Sequence, residues 1–315
     1  MGTVLKIAII AVAAFAFFSA GPALTSFFTV FTRKTGTHFR DMDIENSYFA
    51  PIYGEMCDSL DRLGALEQRK VKITANDGVE LCAVYYPADG KDTVILVQGY
   101  NTPAINNYVI IADWLHGLGY NVLMPDCRGH GESGGKRCSL GLLEQYDLLR
   151  WSEYAAEDAE NIFIYGTSMG CATVSYASDK LDCEKVRGLV LDCGFSSPYS
   201  QMKGDMERRH IPRFLLLPFI RLLGKWILKV DIKTPVSESL SKCTIPALFL
   251  HGTADETVPL SEGHANYESC ASEKDMIIVE GAAHTMSFHT GGEKVRRAVA
   301  DFFGKHRKGA QNENI

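Results

Sequence analysis

The chain has 315 residues, of which 46% are hydrophobic and 22% are charged, a balance that is typical of a globular protein with a sizeable core and excludes general disorder. Its net charge is −6 at pH 7 and no stripe of Lys and Arg stands out, so we do not expect nucleic acid as a partner. Nine cysteines are scattered without a C-x-x-C pair or ligand-like histidine spacing, which disfavours zinc and indicates mostly free thiols.

The first 35 residues form a strongly apolar segment. Between residues 4 and 31 the only charged side chain is that of Lys6, and such a span is long enough to cross a hydrocarbon layer of roughly 30 Å. We therefore expect residues 1–35 to anchor the protein in a membrane through a single uncleaved helix. The alternative is a signal peptide with a cleavage site near residues 21–23, which would make the protein secreted. The flanking charges do not decide which side of the membrane holds the rest of the chain.

Beyond a linker and helical lead-in at residues 36–70, apolar strand patterns alternate with helical patterns. This alternation predicts an α/β fold in which a mostly parallel, eight-stranded sheet carries helices on both faces. Strands are expected at residues 71–74, 81–86, 93–98, 121–125, 162–166, 188–192, 247–251 and 276–279, and helices near residues 107–118, 142–155, 168–178 and 293–303. We assign residues 71–305 to this domain and residues 306–315 to a polar tail.

The segment at about residues 197–243 breaks the alternation with a dense apolar pattern, interrupted by Pro212, Pro218 and Gly224. Such an insertion before a strand is typical of a helical cap over an active site. Its apolar residues would then face a substrate tunnel; these are Leu215, Leu216, Phe219, Trp226 and Ile227. A helix pair packed on the domain, and a face that lies on a membrane interface, remain alternatives.

The pentapeptide Gly166-Thr167-Ser168-Met169-Gly170 lies where an apolar strand gives way to a helix. This is the G-x-S-x-G pattern in the strand–turn–helix context that gives it chemical meaning. The glycines permit a sharp turn that projects the Ser168 hydroxyl above the carboxyl end of the sheet. The following helix directs its first amides toward a developing negative charge. Ser168 is therefore the candidate nucleophile.

A serine hydroxyl needs a base, and the base needs an acid that orients it. His284 follows the last predicted strand and Asp255 follows the preceding one, so both loops open at the edge of the sheet that carries Ser168. We therefore expect His284 to be the base and Asp255 to be the acid, which gives the chain order Ser, Asp, His. The competing candidates at comparable positions are His251, Asp192 and Glu256.

The tetrahedral intermediate of acyl transfer carries an oxyanion that needs hydrogen-bond donors. The backbone amide of Met169 directly follows the nucleophile, and the backbone amide of Tyr100 lies in the loop after the third predicted strand. We expect these two amides to form the oxyanion hole. The side chain of Tyr100 can instead line an acyl pocket or pack in the core. This chemistry requires no metal and no organic cofactor.

Five segments together resemble the α/β-hydrolase fold superfamily over residues 71–303: ILVQGYN, MPDCRGHGESGG, IYGTSMG, LFLHGTADETVP and GAAHTM. The set is similar to bacterial membrane-anchored serine hydrolases of the esterase, lysophospholipase and aminopeptidase-like group. The second segment resembles the superfamily's D-x-R-G-x-G-x-S turn, in which Arg128 is expected to be a structural clamp. One departure is Gln98-Gly99, where the superfamily usually has His-Gly before the oxyanion loop.

This resemblance implies acyl transfer to water, because dehalogenases and epoxide hydrolases of the same fold carry an aspartate at the elbow. We expect an ester hydrolase that acts on a small or lipid-like acyl substrate. A peptidase, amidase or thioesterase is the first alternative, since the triad does not determine the leaving group. A non-catalytic binding or membrane-interaction protein is the second alternative.

Overall fold

The computed structural model describes residues 2–34, 36–43, 47 and 49–309. The chain begins with helix α1 (Gly2–Phe31), and α2 (Tyr53–Gly64) follows two short 3₁₀ turns. The strands are β1 (Arg69–Thr74), β2 (Glu80–Tyr86), β3 (Asp92–Val97), β4 (Asn121–Pro125), β5 (Asn161–Thr167), β6 (Val186–Asp192), β7 (Ala247–Gly252) and β8 (Lys274–Val279). The other helices are α3 (Ala104–Gly117), α4 (Glu144–Ala156), α5 (Met169–Ala177), α6 (Pro198–Arg208), α7 (Arg213–Leu223), α8 (Ser237–Leu240), α9 (Leu260–Ser269) and α10 (Ser287–His306). Residues 310–315 of the predicted polar tail lie outside the described residues.

The strands form one eight-stranded sheet in the order β1-β2-β4-β3-β5-β6-β7-β8. β1 and β2 run antiparallel to their neighbours, whereas β3 to β8 run parallel to one another. Each strand begins and ends within two residues of its predicted position. The predicted fold class, a mostly parallel eight-stranded α/β sheet, is therefore confirmed.

Alternate residues of the central strands enter two separate hydrophobic clusters. In β5, Ile162 and Ile164 join the cluster on the side of α4 and α5, whereas Phe163 and Tyr165 join the cluster on the side of α3 and α10. Successive side chains of a strand point to opposite faces, so both faces of the sheet are covered by helices. The loops that follow β3, β5, β7 and β8 consequently meet at one edge of a buried sheet.

The C-terminal half of α1 belongs to the folded domain. Ala23, Phe27 and Phe31 have no exposed surface and pack in the same hydrophobic cluster as α5, and α1 packs along α7. After the helix, the backbone amides of Arg33 and Lys34 donate hydrogen bonds of 2.8 and 2.7 Å to carbonyl groups in the loop between β4 and α4. The apolar end of α1 is thus fixed to the domain by both packing and backbone pairing.

The prediction that residues 1–35 anchor the protein in a membrane is wrong. In the part of the chain that the structure describes, no helix combines the length and the apolar character that a membrane span requires. Burial against protein explains the apolar side chains of Ala23, Phe27 and Phe31 instead. Composition alone does not separate the two cases, because a buried core helix and a membrane helix share an apolar sequence.

Helices α6, α7 and α8 lie between β6 and β7, in the segment where the sequence predicted a helical insertion. α7 continues into a π-helical turn at Gly224–Leu228. α7 packs against both α1 and α6, while α8 packs against α5. The insertion and the N-terminal helix therefore form a joint layer.

Candidate active site

Ser168 occupies a sharp corner between β5 and α5. Its backbone has a φ of 55° and a ψ of −113°, a combination that is costly for a residue with a side chain and is typical of functional sites. A Cβ on Gly166 would lie 2.5 Å from the carbonyl oxygen of Gly170, and a Cβ on Gly170 would lie 1.7 Å from the carbonyl oxygen of Val97. A side chain at either position would clash with the backbone. Both positions therefore require glycine, as the sharp turn of the G-x-S-x-G motif predicted.

His284 and Asp255 meet Ser168 at the carboxyl edge of the sheet. His284 Nε2 lies 2.9 Å from Ser168 Oγ, and His284 Nδ1 lies 2.7 Å from Asp255 Oδ2. The other carboxylate oxygen of Asp255 accepts hydrogen bonds of 2.9 and 2.8 Å from the amides of Thr257 and Val258. An ionised carboxylate only accepts hydrogen bonds. Asp255 therefore holds the proton of His284 on Nδ1, and Nε2 is left to accept from the serine hydroxyl.

The three competing candidates for the acid and the base lie in surroundings that differ from those of Asp255 and His284. The carboxylate of Asp192 accepts a hydrogen bond of 3.1 Å from the Tyr165 hydroxyl, and burial raises the pKa of this carboxyl to about 6. The buried His251 has its Nε2 2.9 Å from the carbonyl oxygen of Val258, which fits a structural role. Glu256 is exposed. The geometry therefore favours Asp255 and His284 over these three residues.

The two predicted oxyanion donors lie in segments that adjoin Ser168. Met169 is the first residue of α5, and the amide at such a position has no acceptor within its own helix. Tyr100 follows Gly99, where an added Cβ would lie 3.6 Å from the Cβ of Ser168. The loop after β3 thus passes directly beside the elbow.

Two side chains that the sequence analysis did not single out hold this loop in place. The Gly99 amide donates a hydrogen bond of 2.8 Å to Oδ1 of Asn107, and the Asn101 amide donates one of 3.1 Å to Nε2 of His130. The amides on either side of Tyr100 are therefore both engaged. In addition, the side chain of Gln98 closes the same loop by donating to a backbone carbonyl at 2.7 Å. Gln98 thereby takes a positioning task at the site where the superfamily usually has histidine.

His130 has a defined tautomer in this arrangement. Its ring has no exposed surface, and burial lowers its pKa, so the ring is neutral at pH 7. Nδ1 lies 3.1 Å from the Arg128 carbonyl oxygen and donates to it, which leaves Nε2 to accept from the Asn101 amide. The sequence shows the motif that contains His130. It does not show that His130 contacts the loop at Asn101, which lies 29 residues away in the chain.

The end of α1 contacts both loops that surround the elbow. The hydroxyl of Tyr100 donates a hydrogen bond of 2.8 Å to the carbonyl oxygen of Val30. The guanidinium group of Arg33 donates to the carbonyl oxygens of Gly131 and Gly135 at 2.6 and 3.2 Å. The N-terminal segment therefore contributes directly to the geometry of the site.

A cavity of about 310 Å³ opens above Ser168 and His284. One part of its wall is mainly apolar and is formed by Val30, Tyr100, Leu140, Phe195 and Met202. The polar part contains Gln201, Asp205, Arg209 and Thr257. The volume is at the lower end of the range for small-molecule sites.

The predicted tunnel residues of the insertion do not line this cavity. Leu216 is buried in the main hydrophobic cluster, whereas Trp226 is 72% exposed. The insertion contributes to the cavity through α6 instead, with Met202 as its apolar member. The prediction about the tunnel is wrong because α7 turns its buried face toward α1 and α6.

One group of potential metal ligands lies together among the described residues. It comprises Cys193, Asp255 and His284, whose ligand atoms are all within 4.8 Å of one another. Two of them already form the hydrogen bond to each other that a catalytic triad requires. Burial raises the pKa of the Cys193 thiol, and a protonated thiol is a poor metal ligand. The donor set therefore fits a triad better than a metal site.

Comparisons with known proteins agree with this fold. Over residues 88–239 the chain matches a family model described as serine aminopeptidase, S33. The uncharacterized protein YqkD of Bacillus subtilis is 29% identical over 229 residues, which cover 69% of this chain and 72% of that protein. Caffeoylshikimate esterase of Arabidopsis thaliana is 26% identical over 249 residues, which cover 64% of this chain and 74% of that protein.

Solved structures share the same architecture. The Pyrococcus furiosus esterase PF2001 superimposes with a TM-score of 0.66 at 20% identity, over 88% of this chain and 98% of that one. The α/β hydrolase GrgF from Penicillium superimposes with a TM-score of 0.58 at 19% identity, over 77% of this chain and 99% of that one. The chain therefore shares the fold of these two structures. The family match supports a hydrolase.

Proposed function

We propose that the protein is a serine hydrolase that cleaves a carboxylic ester through Ser168, His284 and Asp255. The observation that carries this proposal is the continuous hydrogen-bond chain from Ser168 Oγ through both ring nitrogens of His284 to Asp255, at 2.9 and 2.7 Å. The strained backbone of Ser168 and the glycines beside it add to this support, because they present the hydroxyl at the start of a helix.

Acylation forms a covalent intermediate on Ser168. Its Oγ attacks the carbonyl carbon of the ester while the hydroxyl proton moves to Nε2 of His284, and Asp255 stabilises the imidazolium that results. The amides of Met169 and Tyr100 are the proposed donors to the oxyanion. The tetrahedral intermediate then collapses, the bond to the alcohol oxygen breaks, and His284 gives its proton to the leaving alcohol.

Deacylation repeats these steps with water. His284 accepts a proton from the water molecule as its oxygen attacks the acyl carbon. Collapse of the second tetrahedral intermediate breaks the bond to Ser168, which recovers its proton from His284 and releases a carboxylic acid. Apart from the ester and the water molecule, each step uses only side chains and backbone amides of this chain.

The cavity supports an acyl substrate of modest size. Its mainly apolar wall suits the hydrocarbon part of an acyl group, and Ser168 lies at its base together with His284. Polar members of the wall include Gln201 and Asp205 of α6 and Thr257 of the loop after β7. A small or lipid-like ester fits this division better than a highly charged substrate.

An amide substrate is the second candidate, since the matching family model is described as serine aminopeptidase. Recognition of a free amino terminus requires an uncompensated negative charge near the scissile bond. Asp205 is a carboxylate in the cavity wall, but Arg208 and Arg209 lie 3.1 and 3.4 Å from it. Because these guanidinium groups compensate its charge, the cavity favours an ester over an amino-terminal peptide.

The test is turnover by the full chain of p-nitrophenyl esters of increasing acyl length, compared with aminoacyl p-nitroanilides. We expect ester hydrolysis that is lost in Ser168→Ala and retained in Ser175→Ala, a control in the same helix whose hydroxyl donates to the Cys171 carbonyl oxygen. If the folded protein cleaves only the anilides, the ester assignment is wrong. If it cleaves neither class and no variant differs, the non-catalytic alternative replaces the proposal.

A further inference from the structure

One face of α7 and of the π-helical turn after it is apolar and yet points to solvent. Phe214 is 70% exposed, Leu222 is 63% exposed and Trp226 is 72% exposed. Pro218, which lies between them, is also exposed. These residues follow one another at intervals of four, and side chains spaced in this way share one face of a helix. We call Phe214, Pro218, Leu222 and Trp226 the α7 stripe.

The exposed apolar surface continues onto α1. Leu24 and Phe28 of that helix are 44% and 40% exposed. The guanidinium group of Arg137 lies 5.9 Å from the centroid of the Phe28 ring and 3.5 Å from the carbonyl oxygen of Ile227, next to Trp226. Extended exposed apolar surface of this kind marks an interaction site.

The segment that carries the stripe has a charge opposite to that of the chain as a whole. Between residues 203 and 233 there are eight basic and three acidic side chains, so the segment has a net charge of +5, whereas the whole chain has −6. The basic side chains are those of Lys203, Arg208, Arg209, Arg213, Arg221, Lys225, Lys229 and Lys233. In the sequence they lie before, within and after the stripe, and most of them are exposed.

We propose that the α7 stripe docks on the surface of a bilayer that contains anionic lipids. An apolar helix face with Trp and Phe, bordered by Lys and Arg, is the combination that lies in a lipid interface, and Trp226 has the amphipathic ring that favours this depth. The contact is peripheral and needs no spanning helix. A second copy of the chain fits less well, because two segments of charge +5 would face each other and repel.

The α7 stripe lies near the cavity, so a contact with lipid would affect how a substrate reaches the cavity. Arg209 lines the cavity, and the stripe begins five residues later at Phe214. α6, which supplies Met202 to the cavity wall, packs directly on α7. Docking would therefore bring the cavity close to lipid, so that a lipid-like ester reaches Ser168 over a short path. This last consequence rests on the proposed function, whereas docking itself does not.

Tryptophan fluorescence of the full chain tests the contact locally. Trp151 is buried and Trp114 packs on Phe288 with ring centroids 5.2 Å apart, so Trp226 is the tryptophan that a lipid surface would reach. With vesicles of phosphatidylcholine and phosphatidylglycerol in equal parts, carrying brominated acyl chains, we expect quenching that disappears in Trp226→Phe. Vesicles of phosphatidylcholine alone should quench much less, and raising the salt concentration should weaken the effect by screening.

Matched variants then separate the stripe from other apolar surface. We expect the double variant Phe214→Ser with Leu222→Ser to bind the mixed vesicles at least about tenfold more weakly than the wild type. Leu118→Ser is the control, because Leu118 is 48% exposed at the end of α3 and should leave binding unchanged. Binding needs no turnover, so these results are independent of whether the ester assignment holds.

Three results would overturn the proposal. The first is the absence of quenching at Trp226 in the mixed vesicles while the protein remains folded. The second is equal binding by the double variant and the wild type. The third is a change in Trp226 fluorescence that depends on protein concentration without vesicles and accompanies dimer formation in sedimentation. In that case a second copy of the chain covers the stripe.

Discussion

The hydroxyl of Tyr100 lies 2.8 Å from the carbonyl oxygen of Val30 and donates a hydrogen bond to it, which joins the loop beside the elbow to the last turn of α1. Both residues also line the cavity above Ser168. The ammonium group of Lys34 lies 5.9 Å from the centroid of the Tyr100 ring. The N-terminal segment is therefore structurally part of the candidate site.

Tyr100→Phe should reduce ester turnover while leaving the protein folded. The variant keeps the proposed oxyanion amide but loses a hydrogen bond worth about 1 kcal/mol, so we expect kcat to fall about fivefold with little change in KM. Tyr176→Phe is the matched control, because the Tyr176 hydroxyl also donates to a backbone carbonyl, that of Thr234 at 2.6 Å, but does not line the cavity. Equal kcat values for the two variants would contradict a positioning role for Tyr100.

Truncating Phe27 should destabilise the whole domain. Phe27 has no exposed surface, whereas its neighbour Phe28 is 40% exposed. We expect Phe27→Ala to lower the free energy of unfolding by about 3 kcal/mol and Phe28→Ala to lower it by about 1 kcal/mol, measured by urea denaturation of the full chain. If the two variants lose the same stability, α1 is not part of the core that the structure describes.

The parts of the site that the sequence predicted are those with a local cause. The corner at Ser168 follows from a strand, two glycines and a helix that are contiguous in the chain. His284 and Asp255 could be chosen because parallel strands release their following loops at the same edge of a sheet. The structure brings these three residues together, as the distances show.

The parts that the sequence did not predict depend on approaches in space. His130 and Asn107 hold the loop around Tyr100 from two different elements, and no local pattern marks that contact. The burial of Phe27 and Phe31 was hidden because a run of apolar residues fits both a protein core and a bilayer. The sequence also did not show which face of the insertion is exposed, because that depends on how α7 packs against other helices.

Asp255→Asn should remove most of the activity without unfolding the protein. An amide in place of the carboxylate donates to Nδ1, so His284 would keep its proton on Nε2 and could not accept one from Ser168. We expect kcat to fall on the order of 10⁴-fold, measured with the best p-nitrophenyl ester. Glu256→Gln, at the exposed neighbouring position, should retain full activity, and a comparable loss there would argue against Asp255 as the acid.

Asp192→Asn should change the pH dependence of stability. Burial raises the pKa of this carboxyl to about 6, above its ordinary value of 3.8, so between these values the native state binds the proton more tightly than the unfolded state. The free energy of unfolding of the wild type should therefore fall as pH rises from about 4 to about 6, by roughly 3 kcal/mol from this group. Asn does not ionise, so the variant should lack this contribution.

Urea denaturation of both proteins at pH 4 and pH 7 measures the difference. The variant should gain stability relative to the wild type as pH rises, whereas Asp158→Asn, at an exposed position, should follow the wild type. Parallel curves for wild type and Asp192→Asn would show that the buried carboxyl does not titrate in this range.

The most direct test of the account is to label the full chain with a fluorophosphonate and to locate the adduct by peptide mass spectrometry. The reagent reacts with a serine that is activated by a neighbouring base. The hydrogen-bond chain through His284 predicts a single adduct on Ser168, absent in Ser168→Ala and strongly slowed in His284→Ala. A folded wild-type protein that stays unlabelled, or an adduct on another serine that persists in both variants, would contradict the assignment of Ser168 as the nucleophile.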